Sequence, residues 1–292
     1  MSDRKVQSIQ VAYQELVEQL TPLQGEREAQ NIARIIFEDA FGLFDFSSQN
    51  NFKESQQLAD ILRRLLKNEP FQFVFGQAYF YGLKFKVTPD VLIPRPETEE
   101  LVYWILNSAL PVRPKILDIG TGSGCIPVTL KKKLPESDIY AVDVSEKALT
   151  IAYENSLQNN VAIHTQVLNI LDKSQWDEIG QMDVIVSNPP YIPYREKPLM
   201  PPQVLDFEPD FALFVENDDP LIFYTTIADF AQKKLTPTGR LFFECNEFNA
   251  LKVVALLNQK GFSNVELQRD MSGKDRMIRA IFNEQLAMNN EQ

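Results

Sequence analysis

The sequence predicts an α/β protein, a doubly wound sheet with a small N-terminal helical bundle joined to it by a β-hairpin. Three observations carry that expectation. Over the first 70 residues apolar side chains recur at three- and four-residue spacings. From Phe71 the pattern becomes aromatic and nearly alternating. From Lys115 short β-branched runs alternate with helical patterns, the rhythm of βαβ units.

In chain order, Val6–Leu20 places Ile9, Val11, Tyr13, Leu16, Val17 and Leu20 largely on one helical face. Glu26–Phe37 and Ser55–Lys67 continue the pattern, with Asn51 or Ser55 as caps. The stretch FQFVFGQAYFYGLKFKV, punctuated by Gly76 and Gly82, reads as the hairpin, its aromatics packing rather than stacking on bases. Pro94 and Pro96 hold an extended segment, and Thr98 opens a helix running to about Asn107. Strands follow at 115–120, 138–144, 162–168, 182–187, 240–244, 264–267 and 276–282. Helices are expected at Cys125–Lys133 and at Ser145–Asn159, with Ser145 as cap. The expected domains are a bundle at 1–70 for substrate recognition, a linker at 71–96, a catalytic domain at 97–285 and a flexible tail at 286–292.

Composition narrows the function classes. The 292 residues are 44% hydrophobic and 24% charged, ordinary for one large or two modest globular domains. A formal net charge of −11 gives no global attraction for phosphate backbones, which lowers the expectation of nucleic acid as a partner without excluding a local basic patch. No apolar run approaches about 18 residues, and the start, MSDRKVQSIQ, lacks a signal-peptide pattern, so a cytoplasmic protein away from membranes is expected. Cys125 and Cys245 lie in apolar contexts and read as buried reduced thiols, neither a disulfide nor a metal site. The single histidine, His164, is read as non-catalytic.

The motifs follow the strands. After the first comes Gly120-Thr121-Gly122-Ser123-Gly124, a GxGxG without the GxGxxG spacing that sets a pyrophosphate on a helix N-terminus. By itself such a run fits a tight strand-to-helix turn as well as a ligand loop. Asp143, at the end of the second strand and 19 residues past Gly124, stands where a carboxylate accepts from ribose hydroxyls. Together they favour an adenosyl ligand, and the missing phosphate spacing favours S-adenosylmethionine over NAD. Asn169 and Ile170 follow the third strand, where an adenine could be held, with plain core packing as the alternative for Ile170.

The fourth strand, Met182–Ser187, runs into Asn188-Pro189-Pro190-Tyr191. Two prolines force an extended, rigid exit with no backbone donors at 189 and 190. An asparagine side chain and bare carbonyls are left at a strand's carboxyl end, where open α/β sheets bind ligands. Fixed acceptors of this kind suit a planar NH2 group, and a proline-rich turn after a core strand is the alternative.

With these motifs in order, the chain resembles the HemK/PrmC family of peptide chain release factor glutamine methyltransferases. The resemblance covers almost the whole sequence. Phe75–Glu99 carries FxxxxFYGLxFxVxxxVLIPRPETE, FEPDFALF (Phe207–Phe214) looks like the family's EPxxAL segment, and DMSGKDR (Asp270–Arg276) like its DxxGxxR. Departures are Pro127 early in a helix, Phe214-Val215-Glu216 in place of a glycine-bearing turn, and Asn169 where many methyltransferases carry an acid.

The resemblance implies a Rossmann-like class I methyltransferase that uses S-adenosyl-L-methionine, yields S-adenosyl-L-homocysteine and needs no metal. It implies methylation of the glutamine amide in the GGQ motif of release factors. Asn188 Oδ1 and the Pro189 carbonyl would accept the two amide hydrogens, Pro190 would fix the loop and Tyr191 would pack on the planar amide. The cofactor would lie over Gly120–Gly124, its ribose on Asp143 and its adenine near Asn169 and Ile170, with Asn188 adjoining. Arg95, Glu97 and Thr98 either close its methionine end or form a charged helix entry, and Glu208 orders a loop over the substrate. Alternatives are a glutamine methyltransferase of a ribosomal protein, which shares the catalytic domain, and a DNA or RNA adenine methyltransferase, since NPPY serves an exocyclic amine equally well.

Overall fold

The computed structural model describes residues 7–281. The expected helix start at Val6, the strand end at Phe282 and the tail at 286–292 lie outside them. The chain forms two compact units, Met1–Gly76 with Pro202–Phe207, and Gln77–Pro201 with Glu208–Gln292.

The first unit is helical. Helix α1 (Ile9–Gln24) buries Ile9, Ala12, Leu16 and Leu20 along one face, and the Ser8 hydroxyl accepts the Val11 amide at its start. Gly25, at φ +79°, turns the chain into α2 (Glu26–Ile35). Helix α3 (Ser55–Leu65) is preceded by Glu54 and has no side-chain cap, so neither Asn51 nor Ser55 plays the expected role. Phe37 centres the core, with ring contacts to Tyr13, Phe41, Phe46 and Phe52.

The aromatic stretch after Pro70 differs from expectation. Phe71–Phe75 is a helical turn, α4, and not a strand. Pro70 precedes it, Gly76 ends it at φ +66°, and Phe71, Val74 and Phe75 pack into the helical core. Arg64 holds it there, donating to the carbonyls of Phe73 and Val74, each at 3.0 Å. Alternating aromatics fit either period over five residues, and the helical neighbours decide.

The second unit opens with the hairpin β1 (Gln77–Phe80) and β2 (Leu83–Lys86). Tyr81 (φ 52°) and Gly82 (φ 75°) form its tight turn. Phe80 and Phe85 are buried, whereas Tyr79 is exposed. Then come α5 (Pro96–Leu106), β3 (Lys115–Ile119), α6 (Cys125–Lys133), β4 (Asp138–Asp143), α7 (Glu146–Gln158), β5 (His164–Val167), β6 (Met182–Ser187) and the short β7 (Ile192–Pro193). Helix α8 (Pro202–Phe207) belongs to the first unit. The chain continues with α9 (Asp210–Leu213), β8 (Phe214–Val215), α10 (Ile222–Lys234), β9 (Leu235–Glu244), α11 (Ala250–Gln259), β10 (Ser263–Arg269) and β11 (Asp275–Ile281). Ser145 caps α7 as expected, its hydroxyl accepting the Ala148 amide.

The main sheet has seven strands in the order β10-β11-β9-β6-β3-β4-β5. Only β11 runs antiparallel to its neighbours. This is the doubly wound α/β sheet that the sequence predicts. Its central strands are buried on both faces, with Leu117 and Ile185 in one core layer and Ile116, Val184 and Val186 in the other. The winding starts at β3, steps outward through β4 and β5, and returns to β6 on the other side of β3. A crevice therefore opens between the carboxyl ends of β3 and β6. His164 begins the edge strand β5, exposed, 3.0 Å from Asp138 and stacked on Tyr140.

Candidate active site

The switch point is locked by one side chain. Ser187 Oγ donates to the Ile119 carbonyl at 2.7 Å, and Ile119 pairs with Ser187 in register. The residues that follow, Gly120 and Asn188, therefore leave the sheet side by side. The amides of Gly120 and Thr121 both donate to the Val142 carbonyl, at 2.9 and 3.1 Å, folding the glycine loop back over β4. Asp143 finishes the fold, accepting the Gly122 amide on Oδ2 and the Ser145 amide on Oδ1, each at 2.9 Å.

The glycines do different work. All three have positive φ, +74°, +53° and +77° at 120, 122 and 124. A Cβ on Gly120 or Gly122 would meet no atom within 4 Å, whereas one on Gly124 would lie 2.8 Å from the Ala152 Cβ. The first two leave room above the loop; the third lets α6 press against α7. Asn155 on α7 secures this packing, donating to the Ser123 carbonyl at 2.8 Å and clasping the Lys86 backbone of the hairpin.

A cavity of about 310 Å3 opens over the loop. Gly120, Gly122, Asp143, Asn169 and Ile170 line it, as do Asn188, Pro189 and Pro190. Val91 and Leu92, which follow the hairpin, and Phe211, Phe223 and Ile227 supply apolar walls. Thr121, Ser123 and Gly124 shape the loop but are not on the wall. Tyr191 is not on it either; its amide donates to the Leu213 carbonyl at 3.3 Å and its ring packs against the core. Burial there pushes the Tyr191 phenol above its ordinary value. The Asn169 side chain accepts the Leu171 amide, and its own amide donates to Gln175.

Two carboxyls at this switch point are strongly perturbed by burial. Burial raises the Asp143 carboxyl, against the backbone donors that hold its charge. Asp118, wholly buried in β3, is pushed up to about 7 by burial, with the neighbouring Thr121 hydroxyl acting the other way and the Asp143 charge adding to it. Neither Asp118 oxygen nor the Thr121 hydroxyl has a hydrogen-bond partner of full geometry. Of these two carboxyls Asp143 lines the cavity and Asp118 does not. A three-residue cluster of His, Cys, Asp or Glu suited to a metal is absent among the described residues.

Behind Asn188 lies a polar pair that sequence reasoning did not connect. Thr98 is in the first turn of α5 rather than capping it, and Arg95 holds the cap position. The Thr98 hydroxyl donates to Glu244 Oε2 at 2.6 Å, and Asn188 Nδ2 lies 3.4 Å from Thr98 Oγ1. Glu244 was legible only as an acid ending an otherwise apolar strand, RLFFE. Arg95 donates to Glu208 Oε1 at 2.5 Å, and the Ile93 amide to Glu208 Oε2 at 3.4 Å. These bonds tie FEPDFALF to IPRPETE, so Arg95 anchors a loop here. Asp270 and Arg276 of DMSGKDR pair at 3.1 Å. Burial opposes the Asp270 charge, but donors from Ser272, the Lys274 amide and Arg276 outweigh it and hold the carboxyl down to about 2.

The chain is similar to known methyltransferases. A family model described as the methyltransferase small domain matches residues 102–198. The release factor glutamine methyltransferase of Flavobacterium psychrophilum is 44% identical over 231 residues, 77% of this chain and 80% of that protein. The protein of the same name from Bacteroides thetaiotaomicron is 43% identical over 229 residues, 78% of this chain and 81% of that one. A methyltransferase structure from Pyrococcus furiosus aligns at a TM-score of 0.51 and 16% identity, covering 79% of this chain and all of that one, a likeness of fold alone. The sheet is that of a class I methyltransferase. With relatives this similar over most of its length, and with NPPY and the glycine loop meeting at one crevice, the chain belongs to the release factor glutamine methyltransferase family.

Proposed function

We propose that this protein transfers a methyl group from S-adenosyl-L-methionine to the side-chain amide nitrogen of the GGQ glutamine of peptide chain release factors, leaving S-adenosyl-L-homocysteine. The observation that carries it is the placing of Asn188, Pro189 and Pro190 on the wall of the same cavity that Gly120, Gly122 and Asp143 frame. The cofactor supplies an electrophilic sulfonium methyl. Asp143 and the glycine loop hold its ribose, and Asn169 and Ile170 its base.

An amide nitrogen is a poor nucleophile because its lone pair is delocalised into the carbonyl. No strong base lines the cavity among the described residues, so geometry is the main resource; holding reactants well is worth roughly 7–11 kcal/mol. Asn188 Oδ1 and the Pro189 carbonyl accept the amide hydrogens, aim the nitrogen at the methyl and stabilise the positive charge that develops there. Pro189 and Pro190 keep those acceptors rigid. The Tyr191 ring, packed against the core, supports the loop from beneath. The helical unit recognises the release factor, and the reaction belongs in the cytoplasm, where release factors act.

The test offers methyl-labelled S-adenosylmethionine with three acceptors: release factor, release factor with the GGQ glutamine replaced by alanine, and duplex DNA. Label on the intact release factor alone is expected. Label on DNA, or on the alanine variant, would reject the assigned nucleophile.

A further inference from the structure

We infer that Thr98 and Glu244 are positioning residues that fix which end of the Asn188 side-chain amide faces the substrate. The inference rests on the reading of Asn188 as the acceptor in methyl transfer. The three residues come from the first turn of α5, the end of β9 and the loop after β6, separated by 146 and 90 positions in the chain. Thr98 and Glu244 are 3% and 2% exposed. A buried carboxylate is costly, and an apolar residue of similar size would often serve packing equally well. Its presence behind the proposed acceptor needs a reason.

The reason lies in proton counting. A carboxylate only accepts, and a threonine hydroxyl has one proton. At 2.6 Å that proton is committed to Glu244 Oε2, so Thr98 Oγ1 can offer Asn188 only lone pairs. The Asn188 group that approaches it is accordingly the NH2, at 3.4 Å. With the nitrogen turned inward, Oδ1 is left to accept from the substrate amide. Without the relay the two ends of the amide are near-equivalent in shape, and a flipped Asn188 would point donors at donors.

The relay depends on the charge of Glu244. Burial pushes its carboxyl up to about 7, opposed by the Thr98 hydrogen bond and by the Arg276 and Arg95 charges, with Glu97 adding to the rise. Cys245, Tyr191 and Tyr224 also face it, each with its own ionisation raised and so uncharged near neutrality. A protonated Glu244 donates to Thr98 instead, which releases the hydroxyl proton toward Asn188 and favours the flipped amide. Turnover is therefore expected to fall as pH drops through about 7.

The experiment measures release factor methylation, cofactor affinity by calorimetry and melting temperature for the unmodified protein, Thr98→Val, Thr98→Ser and Glu244→Gln. Thr98→Val should lower kcat about tenfold to a hundredfold, with KM and cofactor affinity little changed and the melting temperature lowered because Glu244 loses a buried hydrogen bond. Thr98→Ser should restore most of the rate. Glu244→Gln keeps the volume but cannot ionise, so the acid limb of the pH profile should vanish. Unmodified kcat in Thr98→Val, equal losses of rate and melting temperature in the valine and serine variants, or an unchanged acid limb in Glu244→Gln would each overturn the inference. No label even with the unmodified protein would reject the methyl-transfer reading and the relay with it.

Discussion

Asp143 accepts the backbone amide of Gly122 at 2.9 Å, across 21 residues of chain. One carboxylate thus closes the glycine loop from the end of the neighbouring strand while facing the cavity that the loop frames. Loop shape and ligand grip are therefore coupled in a single side chain.

Asp143→Ala should weaken cofactor binding before anything else. Hydrogen bonds to a charged group are worth about 1.5–3 kcal/mol, so calorimetry should show affinity falling roughly tenfold to a hundredfold. The Gly122 and Ser145 amides also lose their acceptor, and the melting temperature should drop with it. Asp143→Asn, which can still accept, should fall between.

Asn188→Ala should divide the other way. Loss of a preorganised acceptor typically costs about 10²–10³ in kcat, while cofactor affinity stays close to that of the unmodified protein. Equal loss of cofactor affinity in Asn188→Ala and Asp143→Ala would show that the two residues do not have the separate tasks assigned here.

The glycines separate packing from ligand space. Gly124→Ala forces a Cβ to 2.8 Å from that of Ala152 at a φ of +77°, and should destabilise the fold by about 2–4 kcal/mol. Gly120→Ala meets no neighbour within 4 Å and should cost only about 1–2 kcal/mol, yet lose cofactor affinity sharply. Denaturant unfolding and calorimetry on both variants would show this crossing.

Asp118 should leave a mark on the pH dependence of stability. Its carboxyl is raised from 3.8 to about 7, so the folded chain binds the proton more tightly than the unfolded chain. The stability it contributes is present at acid pH and is lost as pH rises across that window. Each pH unit there is worth about 1.4 kcal/mol, so Asp118→Asn should stabilise the cofactor-free protein at pH 8 by at most about 4 kcal/mol. Urea unfolding between pH 4 and 8 would show the slope flattening in the variant.

Much of this was legible beforehand where the signal is local. The runs KILDIG, DIYAVD and MDVIVS are strands because continuous β-branched and apolar residues suit a sheet buried on both faces. Ser145 caps its helix because a serine oxygen meets a free amide there. Local signals misled at Phe71–Phe75, where five aromatic-rich residues fit either period, and at Thr98, whose hydroxyl turns from the helix start to Glu244.

The sequence by itself determined the seven strands of the main sheet, the tight glycine turn after β3, the carboxylate ending β4 and the rigid acceptor-bearing exit after β6. Each follows from residue type and spacing within a few positions, where sterics and backbone hydrogen bonding decide. Only the tertiary structure decided what those pieces meet. Winding the sheet outward from β3 and back to β6 brings Gly120 beside Asn188. Stacking α6 on α7 gives Gly124 a different purpose from Gly120, and closing β9 beneath α5 buries Glu244 against Thr98. These pairings join residues as many as 146 positions apart. They are set by burial and by the need to satisfy buried polar groups, which no local pattern encodes.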